Sequence, residues 1–443
     1  MSKRIGIIIA FAILAVNLQA QEKLSYPEVD KRSYELFLEK RWDELIQLSK
    51  ESVSHDINFF YLQARTGIAF FNLKKYRTAA DWFLMAWESD QSFDWLQEYL
   101  YYSLLWGGRT GEAGKIAKNF SPSLQQKLKV PEQKITRLAI EGGYSFNPGF
   151  NSLTDKPHGQ QAGVGDNYGE AFYLKNYHFE TVDISHKLSP GFNLNHSLTY
   201  IGLNREERID WGETENFSIK INQFQYFINP DFVLAKKFYF SPSAVIIWGN
   251  SDLYLGGLTN NMSRFFYNAP YNFSDFIFSL SVWSHFGNLS PGGEINTANI
   301  NNESLLQLSG WVTLYPFSNL NFYITPRIYL KNDESNNFGY NAFGISGGLQ
   351  LGPAHLYGQY LNGEMKNFIE SAGYVVSNFP GVSKQKFSGS LYFPTGKQYQ
   401  FVFRYIAQDI TETYQVYTNL VKSNSVNYNY IKHTLTAGIS WNF

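Results

Sequence analysis

The sequence predicts an α+β protein that is mostly β: an antiparallel transmembrane β-barrel of about fourteen strands, with twelve as the alternative, behind a short helical domain. Three observations support this fold class. Apolar residues recur at every second position in residues 430–443. From Ile135 onward, similar segments are joined alternately by tight turns and by long polar stretches. Residues 26–130 show helical periodicity instead.

The composition agrees with a barrel and excludes several classes of protein. Aromatic residues make up 18% of the chain, and the mean hydropathy is −0.29. A barrel needs apolar side chains only at alternate positions and aromatic girdles at both membrane interfaces, so both values suit it. The 37 lysines and arginines are balanced by 38 acidic residues, which leaves no basic surface for nucleic acid. Cysteine is absent, so thiolate catalysis, disulfides and cysteine-ligated metals are excluded.

The first 20 residues are predicted to be a signal peptide. Lys3 and Arg4 precede an apolar run at residues 5–16, which is too short to span a bilayer comfortably, and Ala20 is a suitable cleavage point. We therefore expect residues 21–131 to form the helical domain and residues 132–443 to form the barrel.

The helical domain resembles a tetratricopeptide array, most closely in one repeat. In a frame of about 34 residues, the small and aromatic positions that let two helices pack are Gly67, Phe70, Ala79, Phe83 and Ala86. Looser copies precede and follow this repeat, and about three units suffice to bury a shared core. The resemblance implies a concave groove that docks a periplasmic protein or peptide. The alternative is a helical plug or spacer that packs against the mouth of the barrel.

The barrel is predicted strand by strand from its connections. Tight turns are expected at residues 189–191, 235–237, 287–288, 317–319, 351–353 and 394–396. Long polar loops are expected at residues 147–170, 204–213, 250–272, 331–338, 365–382 and 410–429. Short turns on one side and long loops on the other are typical of outer-membrane barrels. The weakest strand, residues 289–299, contains Pro291 and two adjacent glycines, and without it the count falls to twelve.

The period of two also assigns residues to the lumen, because inward and lipid-facing side chains alternate along each strand. An arginine on the lipid face near the midplane costs about 2–4 kcal/mol, which determines the register. The predicted lumen-lining residues are Trp283, His285, Arg327, Tyr329, Lys331, Arg404 and Lys432. Two interpretations stay open: these residues line a polar conduit suited to hydroxylated or anionic solutes, or their charges pair with lumen carboxylates in a filled barrel.

The end of the chain resembles the C-terminal signal of bacterial outer-membrane barrels, with Thr436, Gly438, Trp441 and Phe443 in the matching positions. The resemblance implies recognition by the barrel-assembly machinery and insertion into the outer-membrane lipid of a Gram-negative bacterium. An even number of strands puts both ends of the barrel on one side, so the helical domain is expected in the periplasm.

Three further segments resemble the YaiO-type outer-membrane barrel family, namely residues 276–284, residues 311–329 and Phe240-Ser241-Pro242-Ser243. In that family a periplasmic tetratricopeptide segment often precedes the barrel, and the family has no settled activity to assign to residues. The order of repeats and barrel is also similar to that of exopolysaccharide secretion porins.

These patterns favour a conduit or export porin, with cell-surface glycan as the candidate cargo, whose repeats recruit a periplasmic partner. The alternatives are a non-conducting structural or anchoring protein of the envelope and, less favoured, a lipid-modifying barrel enzyme. No catalytic residue is assigned, since Gly344-x-Ser346-x-Gly348 lies inside a predicted strand and not at a strand-to-helix turn. The sequence has no metal-ligand spacing and no cofactor-binding motif in a suitable context.

Overall fold

The computed structural model describes residues 24–130, 134–154, 167–234, 237–261, 263–333, 336–379, 381–396, 398–419 and 421–443. The predicted signal peptide lies outside these residues. The chain divides into two compact units, Met1–Gly107 and Gly108–Phe443. No helix in the described ranges combines the length and the apolar character that a membrane crossing needs.

The first unit is helical. Its helices are α1 (Tyr26–Leu38), α2 (Trp42–Ser54), α3 (Phe60–Asn72), α4 (Tyr76–Ser89) and α5 (Asp94–Trp106). Helix α1 begins where the Glu28 carboxylate accepts the backbone N–H of Ser25 at 3.1 Å. Lys40, Asp56 and Lys74 each have a positive φ just after a helix, the conformation in which helices commonly end.

The five predicted packing residues of this unit are buried between α3 and α4. Ala79 and Ala86 have no exposed surface, and Phe70 exposes 5%. Gly67 lies against the ring of Phe83, where an added Cβ atom would stand 2.5 Å from the ring. Glycine at residue 67 therefore allows α3 to approach α4 closely.

The second unit is a closed antiparallel β-barrel of fourteen strands, which confirms the predicted fold class and strand number. The strands of the wall are β1 (Ile135–Phe146), β2 (Tyr168–Ser189), β3 (Phe192–Trp211), β4 (Glu213–Leu234), β5 (Phe238–Ser251), β8 (Tyr271–Ser284), β9 (Leu289–Ile300), β10 (Glu303–Leu314), β11 (Phe322–Asp333), β12 (Asn336–Leu351), β13 (Ala354–Met365), β16 (Val382–Thr395), β17 (Tyr399–Thr418) and β18 (Val421–Asn442). The weakest predicted strand is β9, and it pairs along its whole length with β10.

Four short strands form two separate hairpins, and three short helices complete the unit. The hairpins are β6 (Tyr254–Leu258) with β7 (Arg264–Asn268), and β14 (Phe368–Glu370) with β15 (Val375–Ser377). The helices are α6 (Thr110–Ala117), α7 (Pro122–Lys127) and α8 (Phe150–Thr154).

The barrel closes by pairing its first and last strands. Leu138 lies opposite Trp441, and Phe146 lies opposite His433. The outer face is apolar: Phe278, Phe403 and Leu435 expose 55%, 54% and 55% of their surface. The inner face is polar, and Asn296 and Gln307 on it have no exposed surface. This separation of side chains is the one that lipid outside and a polar interior require of alternating strands.

The two ends of the barrel differ. The short-turn end carries the beginning of β1 and the end of β18. One of its tight turns contains Gly191, which has a φ of 76°, a conformation that glycine adopts at no steric cost. The long-loop end carries the longest connections, but some of its turns are short, and β9 and β10 meet there in a two-residue turn. In that turn Asn301 and Asn302 have φ values of 54° and 61°, as a twisted two-residue hairpin requires.

Three of the expected loops are β structure of the wall instead. The described part of residues 331–338 is the end of β11 and the beginning of β12, with Asp333 opposite Asn336. Residues 204–213 and 410–429 extend the β3–β4 and β17–β18 hairpins, which turn near Gly212 and Asn419. A tilted strand crosses a bilayer in about 10 residues, so these longer strands extend past the span at the long-loop end. Polar composition predicted loops, but the β-branched and aromatic residues among them favour pairing. The extension of β17 also pairs with β2, with Gln415 opposite Glu170.

Helix α6 packs on the short-turn end of the barrel. A Cβ atom on Gly111 would lie 2.5 Å from Val233 and 2.9 Å from Tyr239. Arg109 and Glu112 form an ion pair of 2.6 Å that is 2% and 4% exposed, and the hydroxyl of Tyr239 donates to the Glu112 carboxylate at 3.3 Å. A buried pair that is also hydrogen-bonded to the wall holds this helix in a specific position.

Candidate functional site in the barrel lumen

A loop from the long-loop end folds into the barrel. Residues 366–379, which we term the inner hairpin, contain β14, a 3-10 turn at Ser371–Gly373 and β15. Ile369 pairs with Val376 across this hairpin. The wall behind the hairpin is complete, because Met365 of β13 pairs with Ser383 of β16. The inner hairpin therefore occupies the lumen without contributing to the barrel wall.

Inward side chains of the wall bond the backbone of the inner hairpin. Gln307 accepts the Ile369 N–H at 3.2 Å and donates to the Ile369 carbonyl at 2.6 Å. Ser243 donates to the Ala372 carbonyl at 2.5 Å. Gln225 donates to the Tyr374 carbonyl at 3.1 Å. A buried backbone group without a partner costs about 1–3 kcal/mol, so these side chains stabilise the hairpin inside the barrel.

One buried ion pair fastens the hairpin to the wall. The ammonium of Lys386 on β16 lies 2.6 Å from the carboxylate of Glu370, and the two side chains are 7% and 5% exposed. Gln359 on β13 donates to the same carboxylate at 3.3 Å. Removing one member of a buried pair leaves an uncompensated charge, which costs about 3–5 kcal/mol.

Apolar contacts complete the attachment on the side of the barrel formed by β5 to β13. Phe368 has no exposed surface and lies 4.9 Å from the ring of Tyr329, in a cluster that includes Leu361 and Met365. Ile369 is also fully buried, in a second cluster with wall residues of β4, β5, β8, β9 and β10.

The far end of the hairpin reaches a narrow point that we term the waist, formed by Tyr374, Asp183, Glu141 and Arg404. The Tyr374 hydroxyl donates to the two Asp183 carboxylate oxygens at 3.0 and 3.2 Å. The Arg404 guanidinium donates to Glu141 at 2.5 Å. Both of these contacts in the waist therefore join a hydrogen-bond donor to a carboxylate.

Two cavities of the lumen meet at the waist. A cavity of about 370 Å³, the short-turn chamber, is lined by polar residues such as Arg137, Asn195, Asn229 and Gln400. A cavity of about 220 Å³, the long-loop chamber, lies between the hairpin and the inward side chains of β1 to β4 and β16 to β18. Glu141, Tyr374 and Arg404 line both cavities.

The predicted lumen residues all lie on the inner side of the wall, at different places. Arg327 stacks over the Trp311 ring at 4.1 Å and lies 4.0 Å from Glu294. Lys331 donates to the carbonyl of Lys366 in the hairpin at 2.8 Å. Arg404 belongs to the waist. Each of these three cations therefore contacts a carboxylate or the hairpin.

The two predicted lumen residues of the β8 region are at the short-turn end. Trp283 stacks on Tyr239 with ring centres 5.1 Å apart. The ring nitrogen Nδ1 of His285 lies 2.6 Å from the hydroxyl of Ser290, and its ring meets Tyr239 edge-on at 5.0 Å. Both side chains pack around Tyr239, the residue that helix α6 contacts, and neither lines the two chambers.

Lys432 differs from the other predicted cations. Its side chain is 5% exposed and lines the long-loop chamber. Its ammonium lies 4.8 Å from the ring centre of Phe379 in the hairpin and 5.2 Å from that of Tyr177. An ammonium held away from water costs several kcal/mol, and a desolvated cation–π contact returns about 2 kcal/mol. The two rings therefore offset part of that cost and neutralise none of the charge.

The predicted barrel-assembly residues lie at the end of β18. Thr436 faces inward and is 6% exposed, whereas Trp441 faces outward and pairs with Leu138. A Cβ atom on Gly438 would stand 2.9 Å from the Ile140 carbonyl. Phe443 exposes 55% of its surface, and its backbone N–H donates to the Thr136 carbonyl at 3.0 Å.

Of the four waist residues, the sequence predicted only Arg404 as a residue of the lumen. Glu141 and Asp183 occupy inward positions of strands, so the period of two could have found them. Tyr374 could not be found in this way, since it lies in a loop without periodicity. In the part of the chain that the structure describes, no three His, Asp or Glu side chains lie together so as to hold a metal ion.

Comparisons with known proteins give similarities of fold. No protein-family model matches the sequence, and no curated protein matches it. Among solved structures, a Pseudomonas aeruginosa FadL homologue is similar with a TM-score of 0.44 and 7% identity, over 70% of this chain and 91% of that chain. The Pseudomonas putida toluene transporter TodX has a TM-score of 0.44 and 9% identity, over 71% and 90% of the two chains. A bacterial polysaccharide outer membrane secretin has a TM-score of 0.35 and 7% identity, over 70% and 99%. Values this low do not indicate a shared function.

Proposed function

We propose that this protein is an outer-membrane transport barrel of a Gram-negative bacterium, a conduit for polar solutes that the inner hairpin keeps closed. In this proposal the short-turn end faces the periplasm, and the long-loop end faces outward. The helical unit stands in the periplasm and recruits a protein or peptide. Cell-surface glycan is the candidate cargo, because hydroxyl, amide and charged side chains dominate the lumen.

The observation that carries the proposal is the arrangement of the two chambers. They follow each other along the lumen, and Glu141, Tyr374 and Arg404 of the waist line both of them. The waist consists of polar contacts between side chains, and one of its members, Tyr374, belongs to a loop. Side-chain rotations and loop motions occur without rearrangement of the wall, so a passage can open while the barrel stays intact.

A second candidate function is that of a non-conducting structural or anchoring protein of the envelope. The contacts of Gln307, Gln225 and Ser243 with the hairpin backbone favour it, as does the buried Lys386–Glu370 pair. A hairpin held at so many points is the expected design of a permanent plug.

Replacing the inner hairpin distinguishes the two functions. Because Met365 pairs with Ser383, residues 367–380 can be exchanged for a short Gly-Ser turn without loss of wall pairing. We expect the full chain to be closed in planar bilayers and the exchanged variant to give discrete conductance steps. The matched control exchanges residues 254–268, the β6–β7 hairpin, because β5 and β8 still pair at Ser251 and Tyr271. If the exchanged variant inserts and is heat-modifiable but gives no conductance, the result would support the anchoring function instead.

The proposed docking of a periplasmic partner has a candidate surface in the helical unit. Tyr34 and Tyr61 expose 49% and 52% of their surface, and the Arg65 guanidinium lies 5.0 and 5.5 Å from their ring centres. Exposed aromatic residues around an arginine are typical of binding hot spots. A photo-crosslinking residue that replaces Tyr61 should give one adduct with the partner in cells. Tyr34→Ala should abolish this adduct. The same photo-crosslinking residue in place of the exposed Lys50 should give no adduct. An adduct that survives Tyr34→Ala contradicts docking at this surface.

A further inference from the structure

Lys432 holds a buried positive charge that no carboxylate neutralises. Among the described residues, its ammonium contacts the ring of Phe379 and both the ring and the hydroxyl of Tyr177, and no carboxylate lies within ion-pair distance. The other cations of the long-loop chamber have such partners. Lys386 pairs with Glu370 at 2.6 Å, and Arg404 pairs with Glu141 at 2.5 Å. Buried charges in proteins are normally paired, so an ammonium without a carboxylate can accept an anionic partner from outside the chain.

The chamber around Lys432 has the room for such a partner and polar groups beside the ammonium, while apolar side chains such as Phe179, Ile201 and Ile406 form much of the remaining lining. Its volume is about 220 Å³. Three cations and one carboxylate are among its lining residues, namely Lys386, Arg404, Lys432 and Glu141. The wall next to Lys432 adds the hydroxyl of Thr434 and the amide of Gln408. A positive interior with neutral hydrogen-bonding groups favours an anion that also carries hydroxyl groups.

We propose that the long-loop chamber binds the anionic group of a solute, a carboxylate or a phosphate, at the ammonium of Lys432. This inference rests on the proposed function, for which it specifies the substrate class: acidic polar solutes, of which a sugar acid is one example. Phe379 of the inner hairpin covers the ammonium, so an arriving anion competes with that ring. Binding at Lys432 therefore weakens one contact between the hairpin and the wall.

The test measures binding to the full chain in detergent by isothermal titration calorimetry at constant ionic strength. The probes are sodium glucuronate, inorganic phosphate and, as the neutral match, glucose. We expect at least one of the two anions to bind and glucose not to bind. Lys432→Met should weaken the binding at least tenfold, while Lys432→Arg, which keeps the charge, should retain most of it. Binding of glucuronate without phosphate identifies a sugar-acid site, and the reverse result identifies a phosphate site.

The matched control is Lys384→Met, since Lys384 is on the same side of the barrel but 41% exposed and paired with Glu364. It should leave anion binding unchanged. Heat-modifiability of each variant shows that the barrel has formed. The proposal is overturned if neither anion binds, or if folded Lys432→Met binds as tightly as the unsubstituted chain.

Conductance separates this inference from the proposed function. If the hairpin-exchanged barrel conducts and Lys432→Met leaves its reversal potential in a salt gradient unchanged, the anion site is wrong and the conduit stands. If that barrel is silent while Lys432-dependent binding persists in the full chain, the conduit is wrong and the anion site stands.

Discussion

The Lys386–Glu370 pair gives the sharpest test of how firmly the inner hairpin is held. In Glu370→Met the side chain keeps its approximate size, but the ammonium of Lys386, which is 7% exposed, loses its carboxylate. An uncompensated buried charge costs about 3–5 kcal/mol. Once the hairpin leaves the lumen, water solvates the Lys386 ammonium. The missing carboxylate therefore raises the free energy only of the state in which the hairpin is inside the lumen, the seated state. The ratio of released to seated hairpin should therefore rise roughly 100- to 4,000-fold.

The absence of cysteine from the chain provides the assay. Ile369→Cys places one thiol at a position with no exposed surface, where it reacts with a maleimide only when the hairpin is released. A thiol at Val421, which is 67% exposed, gives the rate of unhindered reaction. We expect Glu370→Met to accelerate labelling at Ile369→Cys by two orders of magnitude or more, up to the unhindered rate.

A double variant and an exposed control complete this experiment. Glu370→Met with Lys386→Met replaces the pair by apolar side chains, which is often close to neutral, so labelling should return towards the original rate. Glu364→Gln removes the carboxylate of the exposed Lys384 pair and should change the rate less than threefold. The reasoning is refuted if Glu370→Met labels no faster than Glu364→Gln, or if the double variant labels as fast as the single one.

Three further predictions concern the barrel extension, the helical unit and assembly. Glu412→Met removes the carboxylate that lies 2.9 Å from Arg205, a side chain that is 6% exposed. Because Arg205 then has no ion-pair partner, the free energy of unfolding should fall by about 3–5 kcal/mol, measured by urea titration of the heat-modifiable form. Gly67→Ala pushes a Cβ atom into Phe83, so the helical unit should lose about 1–3 kcal/mol, measured by circular dichroism during thermal unfolding. Removal of Phe443 should reduce the amount of heat-modifiable barrel in the outer membrane, measured on gels of membrane fractions.

Each of these predictions has its own control. Glu215→Met, at an exposed position of β4, should change stability by less than about 0.5 kcal/mol. Phe83→Leu in the Gly67→Ala background should recover part of the loss, and no recovery would show that crowding at the ring is not its cause. Asn442→Ala should leave assembly unchanged; if it equals the loss of Phe443 in effect, the terminal aromatic residue is not what the assembly machinery recognises.

Much of the wall could be predicted because the lipid imposes a local rule. Each strand must alternate apolar and polar side chains, so Phe278 and Phe403 could be assigned to the outer face and Arg404 and Lys432 to the lumen from sequence spacing alone. The rule fails outside the bilayer. Beyond about 10 residues per strand, no lipid selects apolar side chains, and the polar extensions near Gly212 and Asn419 could not be distinguished from loops.

The candidate site could be predicted only in part. Arg404 and Lys432 were placed in the lumen, but their partners depend on register and closure: Arg404 meets Glu141, which is 263 residues away along the chain. Trp283 and His285 pack around Tyr239 and line neither of the two chambers. The periodicity of a strand gives the side of the sheet and contains no information about neighbours across the barrel.

The sequence by itself determined a barrel of about fourteen strands, with twelve as the alternative, and a helical unit before it, because alternation, turn residues and helical periods act over a few residues. Only the tertiary structure decided that residues 366–379 enter the lumen. Their backbone groups find partners in Gln225, Ser243 and Gln307, which lie on three different strands. These side chains come together around the loop only when the barrel closes, so the sequence of the loop does not predict which groups its backbone will bond.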